Sequence, residues 1–416
     1  NFEPEIDFTR IMDRVQRVIE TIEPHDSVER YSELGVDCVQ GTAELMSPYE
    51  VLVTEEDDQG GVSTRTLTAK NIIIATGARP YIPDIPGLLE SRYLTSDTVW
   101  NLREAPKKMT ILGGGPIGCE LSQAFARLGI EVTQIERNDR IMKREDIEVS
   151  DFVSAQLRQE GVELLTRHHV IRVESNGDDQ RIVCEADGKE VEIQCDCILV
   201  AVGRQANTSG LGLEKLGIDT TAQGLISSND YLQTFKYPNI YACGDVAGPY
   251  QFTHAAAHQA WYAAVNSLFG FIKRFKVDYR IMPWATFVDP EVARVGMNEQ
   301  ELKAAGIDYQ LTQYGIGDLD RAIADGETTG FVRVFTQGRS DKILGVTIVG
   351  SHAAELLSEF ILAMKHDLGM NKILGTIHSY PTWSEANKFA AGEWKKANAP
   401  QKVLAWLEKF HRWRRS

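Results

Sequence analysis

Residues 107–136 read KKMTILGGGPIGCELSQAFARLGIEVTQIE. An apolar run meets three glycines, a stretch with helical spacing follows, and a second apolar run ends on Glu136. Strand, glycine turn, helix and strand in that order make Gly113-Gly114-Gly115-Pro116-Ile117-Gly118 a candidate dinucleotide site rather than a chance GxGxxG. The glycines serve different ends. Gly113 permits the tight turn, Gly115 lets the backbone approach a pyrophosphate, and Gly118 lets helix pack closely on strand. Ile117 lies in the first helical turn, whose unpaired amides and dipole attract phosphate. Glu136 can accept hydrogen bonds from an adenosine ribose, and its charge repels a 2′-phosphate, which favours NADH over NADPH. Arg137 and Arg140 work against that preference.

The alternation continues downstream with a helix at about 146–160, the strand VELLT, short strands to residue 194, and the apolar strand CILVAVGR (197–204). Alternating strands and helices imply a parallel sheet covered on both faces. Upstream, apolar residues at helical spacing predict a helical region over 5–34, ended by Gly35. Strands are expected in VDCVQGTAEL (36–45), YEVLVTEE (49–56) and TRTLTA (64–69), the last two around the acidic turn DDQGG (57–61). NIIIATGARP (71–80) and YPNIYACGDVAG (237–248) each read as a buried strand running into a glycine turn, and an Ala-rich helix follows from about His254. After Pro283 the character changes to the strands PWATFVD, GFVRVFT and ILGVTIVG and a long helix, Ala353–Lys365. The expected organisation is therefore α/β, with a first domain over 1–105 and 229–280, an inserted domain over 106–228, and a third over 281–416.

At 416 residues the chain has room for such domains, and its net charge of −15 argues against nucleic acid or an anionic membrane as the main partner. The ending QKVLAWLEKFHRWRRS is basic and helical; it reads as a plain terminal helix, and membrane contact by it is not expected. The start, NFEPEIDFTR, has no apolar signal-peptide core. Six cysteines form no CxxC pair and no metal set is expected. Cys195 and Cys197 should share one face of a single strand as buried thiols. Reduced cysteines suggest the cytoplasm.

Taken in order, the ATG turn (75–77), GGGPIGCE, AVGR (201–204), the ACGD turn, FVDPEVARVG (287–296), ILGVTIVG and YPTWSE resemble the FAD-dependent pyridine nucleotide-disulfide oxidoreductases over essentially the whole chain. These include lipoamide dehydrogenase, glutathione reductase and mercuric reductase, and the likeness leans toward the mercuric-reductase-like branch. The resemblance implies two nested Rossmann-like dinucleotide-binding domains, the first incomplete, and a C-terminal α+β dimerisation domain. It implies that Thr76 and Gly77 lie along FAD, that Gly41 and Ala43 sit near its adenine, and that Asp245 holds the ribitol chain. Backbone amides around Thr253 and His254 would face the flavin ring. Gly113, Gly115, Ile117, Gly118, Glu136 and Gly203 would hold the nicotinamide cofactor. Glu120 would lie near the flavin, where its family counterpart pairs with a lysine. A homodimer would bring the YPTWSE loop to the partner's active site.

Two family features have no match in these residues: an N-terminal βαβ unit with its own GxGxxG, and a redox CxxxxC followed by the lysine partner of Glu120. With Asn1 in first place, the expectation is a chain that belongs to a longer protein and is inactive in disulfide chemistry by itself, with FAD binding doubtful. In HSYPTWSE (378–385) the family places a histidine base before the Pro-Thr, oriented by a glutamate five residues later. Here Glu385 keeps the orienting place, Tyr380 replaces the base, and His378 stands two residues early. A tyrosine is a poor base at neutral pH but an adequate donor or soft-metal neighbour. The reading that follows is a flavin-dependent NADH oxidoreductase passing electrons through a disulfide to a small-molecule, disulfide or metal acceptor. The alternatives are an NADH oxidase or quinone/metal reductase, and a non-catalytic NAD-binding dimeric scaffold.

Overall fold

The computed structural model describes residues 6–57, 59–176 and 179–415. Glu5 of the first helical region, Asp58 of the acidic turn and the final Ser416 lie outside the described residues, as do 177 and 178. The chain divides into two compact units, one over 1–118, 124–139 and 161–278, the other over 119–123, 140–160 and 279–416.

The decisive stretch forms the strands Lys108–Leu112 and Glu131–Glu136 of the first unit and, between them, the helix Pro116–Arg127, whose residues 119–123 count with the second unit. These strands join a five-stranded sheet in the order Tyr93–Thr95, Cys197–Val200, Lys108–Leu112, Glu131–Glu136, Glu163–Thr166, parallel throughout. Leu112, Ile135, Ile198 and Val200 from this sheet share a core with Val173, Ile182 and Cys184 of the antiparallel sheet that follows. Smaller pieces of sheet complete the unit. Ile72–Ile74 runs parallel to Ile240–Ala242, which brings the ATG and ACGD turns to the same end of two neighbouring strands. Ala78–Pro80 pairs with Arg204–Ala206.

Three sequence expectations need correction here. The helical region breaks into Phe8–Ile22, a short 3-10 turn Glu23–Asp26 and Val28–Glu33; Pro24 lacks the N–H that a continuous helix would use. The expected strand at 36–45 starts only at Thr42. Cys195 and Cys197 do not share a strand. Cys195 ends Lys189–Cys195 in the antiparallel sheet, and Cys197 opens Cys197–Val200 in the parallel one. Asp196 makes the break: its carboxylate accepts the backbone N–H groups of Lys107 and Lys108 at 2.8 and 3.0 Å. Both thiols are buried and free as expected, and burial pushes Cys197 up to about 11.

The second unit is built on a five-stranded antiparallel sheet in the order Pro283–Thr286, Glu291–Gly296, Ile343–Gly350, Phe331–Gln337, Tyr309–Gly315. The Tyr309–Gly315 strand was not among the expected ones, because TQYG interrupts its apolar alternation. Helices Ala353–Lys365 and Glu385–Ala397 cover the sheet through Leu357, Phe360, Ala390 and Trp394. A buried polar knot accompanies this core. Arg294, 1% exposed, lies over the Trp284 ring at 4.2 Å and reaches Glu145 at 3.5 Å.

Candidate functional site

The glycine turn is fixed by how little room its backbone leaves. A Cβ on Gly113, whose φ is +113°, would stand 2.5 Å from the Ala201 carbonyl oxygen, and one on Gly118 would stand 2.1 Å from the Gly113 carbonyl oxygen. The second strand then staples the turn: Gln134 Nε2 donates to the Gly113 carbonyl at 3.0 Å, and the Glu136 carboxylate accepts from Gly114 N–H at 2.7 Å. Glu136 also accepts from Asn138 N–H at 2.7 Å and is buried. Its charge is thus held at the end of the strand by backbone amides on either side. Gly115 caps the helix without any side-chain cap, and no atom within 4 Å crowds the space its missing side chain leaves. Uncrowded backbone at an uncapped helix N-terminus is what a pyrophosphate needs, so this turn fits a dinucleotide. Gly203 lies just beyond the Ala201–Val202 pair against which Gly113 packs. Arg140 donates to the carbonyls of Lys143 and Glu145 at 3.0 and 2.8 Å, which commits its guanidinium elsewhere.

At the other glycine turns of this unit, Thr76 Oγ1 donates to the Asn207 carbonyl at 2.7 Å, and Asn207 returns its backbone N–H to the Gly77 carbonyl. Asp245 stands in a 3-10 turn with its carboxylate 3.3 Å from Arg204 Nε, a buried nitrogen with no hydrogen-bond partner among the described residues. Gln259 holds this turn from the helix behind it. Its Oε1 accepts Gly244 N–H at 2.6 Å and its Nε2 donates to the Gly248 carbonyl at 3.0 Å. Thr253 and His254 open that helix, Thr253–Phe269, which has no side-chain cap. Gly41 and Ala43 sit at the start of the Thr42–Ser47 strand and in it. A carboxylate, the guanidinium beside it and the N-terminus of a helix gathered at these turns fit part of a flavin dinucleotide. Sequence reasoning missed Gln259 and Asn207, which no local pattern singles out.

In the second unit Glu120 is half-buried and accepts Phe287 N–H at 2.7 Å. Burial raises its carboxyl above the ordinary range, and that hydrogen bond only partly offsets the effect. The HSYPTWSE loop packs its side chains onto distant partners. His378 Nε2 lies 3.0 Å from Glu359, and Nδ1 lies 3.1 Å from the Thr376 carbonyl. Glu359 is braced in turn by Asn387 Nδ2 at 2.9 Å. Tyr380 is exposed and donates its hydroxyl to Asp320 at 2.9 Å, an interaction that raises its phenol pKa. Buried Glu385 accepts Thr382 N–H at 3.3 Å, which closes the first turn of the Glu385–Ala397 helix. The spacing therefore suggested one glutamate for the loop, whereas the hydrogen bonds pair His378 with Glu359 and Tyr380 with Asp320. Beside the loop is an open cavity of about 330 Å³ with His352, Glu359, Trp383 and Asn387 on its walls.

Fold and glycine turns together define a dinucleotide-binding α/β protein with an appended α+β unit. Comparison with known proteins narrows that class. The pyridine nucleotide-disulphide oxidoreductase profile matches residues 9–260, and the profile of that family's dimerisation domain matches 282–391. The chain belongs to this family, whose members bind FAD and a pyridine nucleotide. A mercuric reductase of Staphylococcus aureus is 34% identical over 385 residues, covering 92% of this chain and 68% of the relative. A dihydrolipoyl dehydrogenase of Chlamydia pneumoniae is 34% identical over 366 residues, covering 88% and 76%. Among solved structures, the HOCl-induced flavoprotein disulfide reductase RclA of Escherichia coli superposes with a TM-score of 0.82 at 26% identity, covering 93% of this chain and 86% of that one. Its Cu(II) complex gives 0.81 at 26%, covering 93% and 85%.

Proposed function

We propose that this chain serves a flavin-dependent oxidoreductase that takes electrons from NADH and delivers them to a soft metal ion or a disulfide. The loop at 378–385 would hold that acceptor rather than deprotonate a thiol. The observation that carries this reading is the Tyr380–Asp320 hydrogen bond. A phenol whose pKa is raised by a neighbouring carboxylate stays protonated at neutral pH, so it donates and does not act as a base. His378 cannot stand in easily, because both of its ring nitrogens already face oxygen atoms of Glu359 and Thr376. Names among the relatives agree with such chemistry: one is a mercuric reductase, and one structural neighbour is a Cu(II) complex of a disulfide reductase.

The remaining assignments follow the geometry and the family. Gly113, Gly115, Ile117, Gly118 and Gly203 would hold the nicotinamide dinucleotide, with Glu136 toward its ribose and NADH preferred because Arg140 is committed to carbonyls. Thr76, Gly77, Asp245 and the amides of Thr253 and His254 would hold part of FAD, with Gly41 and Ala43 near its adenine. When bound, FAD supplies the two-electron relay between nicotinamide and acceptor. A homodimer through residues 281–416 would present Tyr380 to the partner's site, and Glu385 would keep the loop's shape.

The test is rapid-mixing reduction of the flavin-bound protein by NADH, followed by reoxidation with Hg(II), Cu(II), a disulfide or lipoamide in parallel. Reoxidation by a metal ion or by a disulfide other than lipoamide, slowed in Tyr380→Phe while reduction by NADH is unchanged, supports the proposal. Fastest turnover with lipoamide, or equal losses in both half-reactions, would sink it.

A further inference from the structure

The last helix of the described residues is Gln401–Arg415. None of its side chains is buried. Val403, Leu404, Trp406, Phe410 and Trp413 are exposed, Trp413 to 71%. Val403, Trp406, Leu407, Phe410 and Trp413 recur at helical spacing, which sets them along one stripe of a helix about 22 Å long. Their rings touch one another instead of a core: Trp406 stacks on Phe410 at 5.5 Å, and Phe410 meets Trp413 at 6.0 Å.

The charge on this helix is opposite to that of the chain. Lys402, Lys409, Arg412, Arg414 and Arg415 face a single carboxylate, Glu408, which Arg412 already engages one turn away. The helix thus has a local excess of four positive charges in a protein whose net charge is −15. Cations flank the apolar stripe, and Arg414 lies over the Phe410 ring at 5.8 Å. Pairing two such stripes between copies of the chain would bring these cations together. The match to the family's dimerisation-domain profile ends at residue 391, so the helix lies outside the matched stretch.

We propose that Gln401–Arg415 is an interfacial anchor that lies on an anionic lipid surface. Trp406, Phe410 and Trp413 enter the headgroup boundary, and the flanking lysines and arginines meet lipid phosphates. An amphipathic helix with an aromatic stripe and cations along its flanks has the chemistry of that boundary. Repulsion between the acidic body and the lipid does not prevent this, since charges farther than about 8 Å from the surface are screened at physiological salt. The net charge of the whole chain, which argues against a membrane as main partner, averages over this one segment of opposite sign.

The experiment floats the full-length chain with vesicles of phosphatidylcholine alone and of phosphatidylcholine with phosphatidylglycerol. Co-flotation with the anionic vesicles only, reversed by high salt, is expected. Replacing Lys402, Lys409 and Arg415 by Glu should weaken it on the order of a hundredfold, at about tenfold or less per charge. Brominated lipid should quench the tryptophan emission of the parent chain and spare a Trp406→Phe/Trp413→Phe variant. Because no side chain of the helix is buried, these variants should unfold at the parent's temperature. Failure to float, equal flotation with neutral vesicles, or a charge-reversed chain that floats as well would overturn the proposal. A change of oligomeric mass in the variants with lipid binding intact would also overturn it, and would assign the stripe to a second copy.

Discussion

The glycine turn at 113–118 joins a strand to a helix and the loop at 378–385 joins two helices, and the two are held in different ways. At the turn, backbone meets backbone: Gly118 sits where a Cβ would be 2.1 Å from the Gly113 carbonyl oxygen, and the stapling side chains Gln134 and Glu136 lie on the adjacent strand. At the loop, side chains hold side chains that are remote in sequence, His378 on Glu359 and Tyr380 on Asp320. A site that must approach a constant phosphate group tolerates a rigid backbone cradle. A loop held by side chains has a shape that single substitutions can retune.

The severest way to break the contrast is Gly118→Val. The added side chain cannot avoid the Gly113 carbonyl, and overpacking of this kind costs about 1–3 kcal/mol, occasionally more. NADH binding should be lost, as read by quenching of nucleotide fluorescence, together with a lowered unfolding midpoint. Near-normal NADH affinity would show that the turn is not the rigid element described. On the loop side, Glu359→Ala removes one acceptor from His378 and one from Asn387. An unsatisfied buried donor costs about 1–3 kcal/mol, so denaturant unfolding should shift by that amount while NADH affinity stays unchanged. A change in NADH affinity would join the two regions that the comparison separates.

Glu120 gives a pH test. Burial raises its folded-state pKa above the unfolded value, so the folded protein holds that proton more tightly. Its contribution to stability is fully present below the ordinary glutamate range and is lost as pH rises through the raised value. Glu120→Gln should therefore flatten the stability profile over that window, as followed by thermal melts from acid to neutral pH. A profile that matches the parent's would remove burial as the governing influence. The smallest effect is expected from Asp320→Asn. Without the carboxylate that holds its proton, Tyr380 should ionise at lower pH, visible as an ultraviolet difference titration against Tyr380→Phe, with no measurable change in melting temperature. An unchanged titration would dissolve the Tyr380–Asp320 pair.

How much of this was legible beforehand follows the same division. The strand–glycine–helix–strand unit, the parallel sheet and the helix Ala353–Lys365 could be read from spacing, because apolar periodicity and glycine placement are local signals. The placement of Cys195 and Cys197 on one strand failed at Asp196 for the complementary reason. Its carboxylate breaks the apolar run by binding amides of Lys107 and Lys108, almost ninety residues earlier, and no pattern within EIQCDCILVAV records that. Gln259, Asn207, Glu359 and Asp320 were invisible in the same way, since a polar side chain reveals its partner only once the chain has folded.

The sequence by itself determined that this chain carries a dinucleotide turn, belongs with the disulphide oxidoreductases, and has a tyrosine where a base is expected. Those are matters of which residue stands at which step along the backbone, and backbone sterics act over a few residues. Only the tertiary structure decided that Tyr380 answers to Asp320 and His378 to Glu359, and that the terminal aromatics stay exposed. Such pairings depend on distance in space, which the fold sets and the order of residues does not.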